Sequence, residues 1–263
     1  MAQIWQHTQG NSPLIATAIH DGHLLRPDVA GIMRLNDQER LREEDPFTQN
    51  WTQVTDNRLI GLYSRFEVDL NRPREKAVYI QPEDAWGLHV WQETPSSAII
   101  EQSLAHYDAF YAQAHQLFTD LERQFGRFIV YDLHTYNHRR DGADGAIADP
   151  EANPEVNIGT GTLNRERWGA IIDRFMTDLS AFDYLGRQLD VRENVKFRGG
   201  QFARWTHENF PESACVLSIE FKKFFMDEWT GDPDWDLIRA ISDMLNETVP
   251  GLLDEISNMN ESD

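Results

Sequence analysis

Cysteine is nearly missing from this chain: Cys215 is the only one in 263 residues, so an intramolecular disulfide framework is excluded and a reducing compartment, the cytoplasm, is the expectation. Long apolar runs are missing as well. No stretch approaches the roughly 20 apolar residues that a membrane span needs, and the opening MAQIWQHTQGNSP has neither the basic start nor the apolar stretch of an export signal. Cations are scarce, with 24 Lys and Arg against 44 Asp and Glu and a net charge of -20. Such a surface repels phosphate backbones and anionic membranes, which argues against nucleic acid and membrane as partners. The plain reading of the acidity is a solvated surface. Against it, any arginines that cluster need a reason. Internal repeats and low-complexity segments are absent too.

What is present is enough apolar sequence, 40% of the chain, to bury a sizeable core, read most simply as one catalytic-size domain over residues 1–263. A short apolar run at 14–19, ended by His20-Asp21-Gly22, predicts a strand followed by a turn. Asn36 with Glu39 forms a capping box for a helix that leaves Glu43, Glu44 and Asp45 near its end, where acids oppose the helix dipole. Loose alternation over 59–70 reads as a strand, stopped by Pro73. From 97 to 125, Ile100, Leu104, Tyr107, Tyr111, Ala114, Phe118, Leu121 and Phe125 recur at steps of four and three, the stripe of a long helix. That stripe is core, and His106 and His115 fall outside it.

After Gly126, RFIVYDLHTY reads as a buried strand ending on His134. Residues 137–162 are rich in turn formers and suggest a functional loop, with 142–161 as a lid. A helix over 164–182, a strand near 189–191, the glycine-containing FRGGQFARW, a strand over 214–221 and two short helices parted at Pro250-Gly251 complete the chain. Strands alternating with helices predict an α/β fold, a mixed, mostly parallel central sheet flanked by helices, with its ligand crevice at the carboxyl ends of the strands.

Two histidines, His20 and His134, end strands and so can converge on one rim of such a sheet. Paired imidazoles with a carboxylate suit zinc with an open position; taken alone, a histidine before an Asp-Gly turn, as His20 is, is more often a surface turn residue than a ligand. Glu220 interrupts a buried strand at its carboxyl end, where it either pairs with Lys222 or Lys223 or accepts a proton from an activated water. Arg65, Asp69, Asn71 and Arg72 cluster in YSRFEVDLNRP. Arginine suits a planar carboxylate, while an Arg72–Asp69 pair fixing a bend is the bland alternative.

The ordered set IHDG, YSRFEVDLNRP, YDLHTY, PEVNIGT, FRGGQFAR and LSIEFKKFFMDE resembles the N-formylglutamate amidohydrolases, relatives of the zinc carboxypeptidase and aspartoacylase group, over residues 14–229. The resemblance implies a zinc carboxypeptidase-like (phosphorylase/hydrolase-like) fold and one zinc ion held by His20, His134 and an acidic residue, Asp45 matching best and Glu44 next. It implies Glu220 as the residue that activates water, Arg65 as a group steadying the oxyanion or a second carboxylate, Asn71 and Arg72 as receivers of a substrate carboxylate, and Arg204 as a further binding arginine. Two positions depart from the pattern. His23 stands where carboxypeptidases carry a glutamate ligand, so it rivals Asp45; Gln201 stands in place of a histidine, which leaves the acyl and side-chain preference open. The implied activity is metal-dependent hydrolysis of an N-acyl, in the simplest case N-formyl, acidic amino acid, a small-molecule substrate. A carboxypeptidase or dipeptidase, or a metal-free carboxylate-binding protein, are the alternatives.

Overall fold

The computed structural model describes residues 3–261. Strands β1 (Trp5–Thr8), β2 (Leu14–Ala18), β3 (Asn57–Gly61), β4 (Phe128–Tyr136), β5 (Val156–Gly159), β6 (Val191–Glu193) and β7 (Ala214–Lys222) form one sheet in the order β1-β3-β2-β4-β7-β5-β6. β3, β2, β4 and β7 run parallel, as do β5 and β6; β1 joins β3, and β5 joins β7, antiparallel. The mixed, mostly parallel sheet expected from the sequence is therefore the one found.

Helices α1 (Pro27–Ile32), α2 (Asp37–Glu43), α3 (Thr48–Trp51), α4 (Ser97–Phe125), α5 (Arg165–Ala181), α6 (Gln201–Asn209) and α7 (Trp235–Glu261) flank it. Their ends follow the capping chemistry. Ser96 accepts from the Ile99 amide at the start of α4, Asn164 accepts from Glu166 and Arg167 at the start of α5, and Asn36 and Glu39 close the α2 box from both sides. At the end of α4 the chain turns through Gly126 at φ 75, the left-handed region that favours glycine.

The two faces of the sheet carry separate cores, because side chains alternate along each strand. Ile129, Tyr131 and Leu133 of β4, with Cys215, Leu217, Ile219 and Phe221 of β7, pack under α5 and α7. Phe128 and Val130, with Ala214 and Val216, pack under α4 and α6. No helix among the described residues is long and apolar enough to cross a membrane.

Two sequence expectations need correction. Residues 59–70 form a strand only as far as Gly61, because the Ser64 carbonyl accepts from Glu67 and Val68 and its hydroxyl from Phe66, closing a turn. The irregular segment that follows crosses the carboxyl end of the sheet and delivers Arg65, Asp69, Asn71 and Arg72 there. The tail is one helix rather than two. Pro250 lies inside α7, and the apolar positions Met244, Leu245, Leu252 and Ile256 on either side of it pack into the same core, which keeps the axis continuous.

Candidate active site

On the α4 and α6 face, the central strands stack their residues in rows. Ile15, Val130 and Val216 are register partners across β2, β4 and β7; one step further along come Thr17, Asp132 and Ser218; then His134 pairs with Glu220. His20, just past β2, reaches the same level. The carboxyl end of an otherwise apolar face is thus polar, and every one of these groups except Glu220, which stays partly accessible, is buried.

Asp45 completes the centre. Its Oδ2 lies 3.0 Å from His134 Nδ1 and 3.3 Å from His20 Nδ1, and its Oδ1 accepts from the Thr135 hydroxyl at 3.0 Å. The far ring nitrogens each meet a carboxylate: His20 Nε2 lies 2.7 Å from Asp69 Oδ1, and His134 Nε2 lies 3.1 Å from Asp132 Oδ1. Asp132 in turn accepts from Thr17 at 3.1 Å and Ser218 at 3.4 Å. Burial opposes the charge of Asp45, but His134 and His20 hold its carboxyl well below the ordinary carboxylate range. Burial likewise disfavours charge on His134, yet Asp132, then Asp45 and Glu220, lift its pKa well above the usual imidazole value.

The backbone that carries Asp45 is braced from several sides. Its amide donates to the His20 carbonyl at 3.0 Å, and its own carbonyl accepts from the Thr48 hydroxyl at 2.7 Å. Asp21 accepts from the Gln49 amide at 3.0 Å, tying the turn after β2 to α3. Phe47 takes φ 71, uncommon for a bulky residue, to make the turn. The acids that crowd the end of α2 are offset by Lys223, whose buried ammonium donates to the carbonyls of Arg42 at 2.5 Å and Glu44 at 2.7 Å. Burial pulls that ammonium down to about 8.

The competing ligands face elsewhere. His23 places Nδ1 2.5 Å from Glu44 and Nε2 3.1 Å from Arg40, and Glu44 also accepts from the Ser64 hydroxyl. Among the described residues, His20, Asp45 and His134 form the one group of three His, Cys or acidic side chains whose ligand atoms all lie within 4.8 Å of one another.

The trio fits a divalent ion. His20 Nδ1 is buried and makes no well-aligned hydrogen bond, its charged neighbour being Asp45 Oδ2 at 3.3 Å, and a carboxylate behind each imidazole is the usual support for a ligating histidine. The observed 3.0 and 3.3 Å separations are also close to the edge, about 3.3 Å, of a tetrahedron of zinc ligands at about 2.0–2.1 Å.

These groups floor a cleft of about 240 Å³ that Glu220, Arg65, Asn71, Arg72, Trp86, Arg140, Phe197 and Arg198 also line. Burial pushes the Glu220 carboxyl up to about 8, with Asp45 and Asp132 adding to the rise and His134 and Arg65 opposing it. Arg65 is locked: it donates to Asp69 at 2.8 Å, Tyr79 at 3.2 Å and the Glu43 carbonyl at 3.2 Å, and its guanidinium lies 4.8 Å from the Trp86 ring. Asn71 Oδ1 accepts from the Phe202 amide at 2.9 Å, while Arg72 lies 3.7 Å from Asp69.

The profile of the N-formylglutamate amidohydrolase family matches residues 12–226. The chain belongs to that family. A crystal structure of N-formylglutamate amidohydrolase from Ralstonia eutropha superposes with a TM-score of 0.72 at 14% identity, covering 99% of each chain. That of a gene product from Agrobacterium tumefaciens gives 0.65 at 15% identity, covering 99% of this chain and 97% of its own. No curated protein matches this family member in sequence. The family is one of amidohydrolases, and the two structures share its mixed α/β fold.

Within this member of the family, two expectations from the sequence, Arg204 as a binding residue and 142–161 as a lid, find no support in the lining of the cleft. Arg204 is exposed on α6, bonded at 3.4 Å to Gln201, and neither residue lines the cleft; helical spacing turns both away from the glycine pair that does. The segment 142–161 contributes nothing to the cleft wall either, and its last part is β5. His106 packs on Tyr63, 3.1 Å from Glu67, away from the centre, in keeping with its exclusion from the site on sequence grounds. Sequence reasoning also missed residues. Asp132 stands two residues before His134 on the same strand face, a signal that was readable. Trp86, Arg140 and Arg198 carry no local signal, because only the folded loops bring them to the mouth.

Proposed function

We propose that the protein hydrolyses the amide bond of an N-formyl acidic amino acid, N-formyl-L-glutamate in the simplest case, releasing formate and the amino acid, with a divalent ion held by His20, Asp45 and His134. The observation that carries this reading is the convergence of those three residues with Glu220 on the floor of an arginine-lined cleft. Zinc is the ion that two imidazoles and a carboxylate suit. When bound, it supplies Lewis-acid polarisation of the scissile carbonyl and greater acidity of a water.

The chain's own groups do the rest. Glu220 accepts the proton of the attacking water and returns it to the leaving nitrogen. Its raised pKa, about 8, falls beside a divalent cation, which brings it towards a base ionised at neutral pH. Arg65, held rigid by Asp69 and Tyr79, meets the negative charge that develops on the carbonyl oxygen. Asn71, whose Nδ2 has no hydrogen-bond partner among the described residues, and Arg72 receive the α-carboxylate. Asp69 and Asp132 hold the imidazoles in one tautomer. Residues 1–263 act as one catalytic domain in the cytoplasm on a freely diffusing substrate.

The test is formate release by the zinc-loaded protein from N-formyl-L-glutamate, set beside N-acetyl-L-glutamate and alanyl-glutamate. The formyl compound is expected to be the best substrate. Faster cleavage of the dipeptide would move the protein to the peptidases.

A further inference from the structure

The cleft's cations differ in how they are used. Lys223 is spent on backbone carbonyls, Arg65 on Asp69, Tyr79 and the Glu43 carbonyl, and Arg140 on both oxygens of Glu43 at 3.1 and 3.0 Å. Arg72 keeps a long ion pair of 3.7 Å to Asp69 and a 3.4 Å bond to the Asp84 carbonyl. The Arg198 guanidinium, at the same cleft, has no ion pair or hydrogen bond among the described residues. In a chain of net charge -20, a cation left without an acid beside a catalytic cleft calls for an anion from outside.

Although its side chain is unengaged, the backbone of Arg198 is fixed. Its carbonyl accepts from the Gly161 amide at 2.8 Å, and Gly199 follows at φ +101, a conformation that L side chains rarely adopt. Gly200 presses on Asn71 so closely that a Cβ there would come within 2.2 Å of Asn71 Oδ1. The Asn71 carbonyl and Oδ1 also accept from the amides of Gln201 and Phe202. Arg198 and Arg72 thus rise from two segments joined through Asn71, and their relative placement is set before any ligand arrives.

We propose that Arg198 selects the acidic side chain of the substrate by receiving its second carboxylate, while Arg72 receives the α-carboxylate. The inference rests on the amidohydrolase reading above and names the residue that makes it specific for a dicarboxylic amino acid. An unengaged but well-rooted guanidinium can form two parallel hydrogen bonds to a carboxylate, whereas a neutral side-chain amide gains little from it.

The experiment measures kcat and KM of the zinc-loaded wild type, Arg198→Gln, Arg198→Lys and Arg72→Gln on N-formyl-L-glutamate and N-formyl-L-glutamine. Arg198→Gln is expected to lower kcat/KM for the glutamate compound about 10–100-fold, the size of a hydrogen bond to a charged group, mostly through KM. Its activity on the glutamine compound should stay within about threefold of wild type, and its melting temperature should not move, since no ion pair or hydrogen bond is lost. Arg198→Lys should recover part of the preference, and Arg72→Gln should lose both substrates alike. Equal losses on both substrates for Arg198→Gln, or an unchanged ratio, would overturn the assignment while leaving the hydrolase reading intact. A wild type that cleaves neither compound would overturn that reading and this inference with it.

Discussion

Two ends of one sheet face use the same strands and the same alternation to opposite purposes. At the amino end, Ile15, Val130 and Val216 lie abreast under α4 and α6 and are almost fully buried. One step along, at the same parity, stand Thr17, Asp132 and Ser218, and beyond them His134 and Glu220. With about 3.3 Å of rise per residue, the change from hydrocarbon to ionisable groups takes place within about 7 Å. The apolar end carries folding energy and holds the strands in register. The polar end gives up that energy, since buried acids and imidazoles cost free energy unless partnered, and the carboxylate behind each imidazole is the partner it obtains.

The comparison is broken most severely at Glu220. Glu220→Gln keeps the shape of the last row while removing its proton acceptor, and kcat is expected to fall about 10²–10⁴-fold with metal content unchanged by elemental analysis. Retained turnover would remove Glu220 from the chemistry. At the opposite end, Phe128 packs against Phe118 and Phe210. Phe128→Ala is expected to cost about 3–5 kcal/mol of unfolding free energy in urea, with kcat of the folded fraction within about twofold of wild type. A large loss of kcat without a loss of stability would mean that the two ends are not separable.

The apolar end has its own titrating group, which sharpens the contrast. His207 Nε2 accepts from the Val216 amide at 3.1 Å and is pulled down to about 4 by burial, from an ordinary 6.5. Between those values the unfolded chain binds the proton and the folded one does not. This contribution is therefore fully present above pH 6.5 and is lost as pH falls towards 4, up to about 3 kcal/mol. Urea unfolding at pH 7 and pH 4.5 should show a smaller drop for His207→Gln than for the wild type; an equal drop would discard the assignment. The smallest effect is expected in the middle row. Asp132→Asn should weaken divalent-ion affinity about 10–100-fold, read by competition with a chromophoric chelator, and unchanged affinity would deny Asp132 its supporting role.

How much of this was legible in the sequence depended on the range of the signal. The long helix α4 matched its predicted span from its stripe alone, and β2, β4 and β7 were visible as apolar runs, so His20, His134 and Glu220 could be set at strand ends. Convergence was harder to read. Asp45 meets His134 across 89 positions of sequence, and nothing local distinguished it from Glu44 or His23 until the side chains of those two were seen to bind each other. The segment after β3 misled because alternation persists where Ser64 turns the chain, and α7 because packing on both sides of Pro250 outweighs the local helix-breaking preference. Arg204 was carried over by resemblance to a helix face that points out of the cleft.

The proposed function makes the polar end of this face a metal centre serving amide hydrolysis. It is tested most directly by divalent-metal content and N-formyl-L-glutamate hydrolysis measured together, before chelation, after it and after zinc is restored. About one ion per chain, activity lost with the ion and regained with it, is the predicted result; full hydrolysis by metal-free protein would contradict the account.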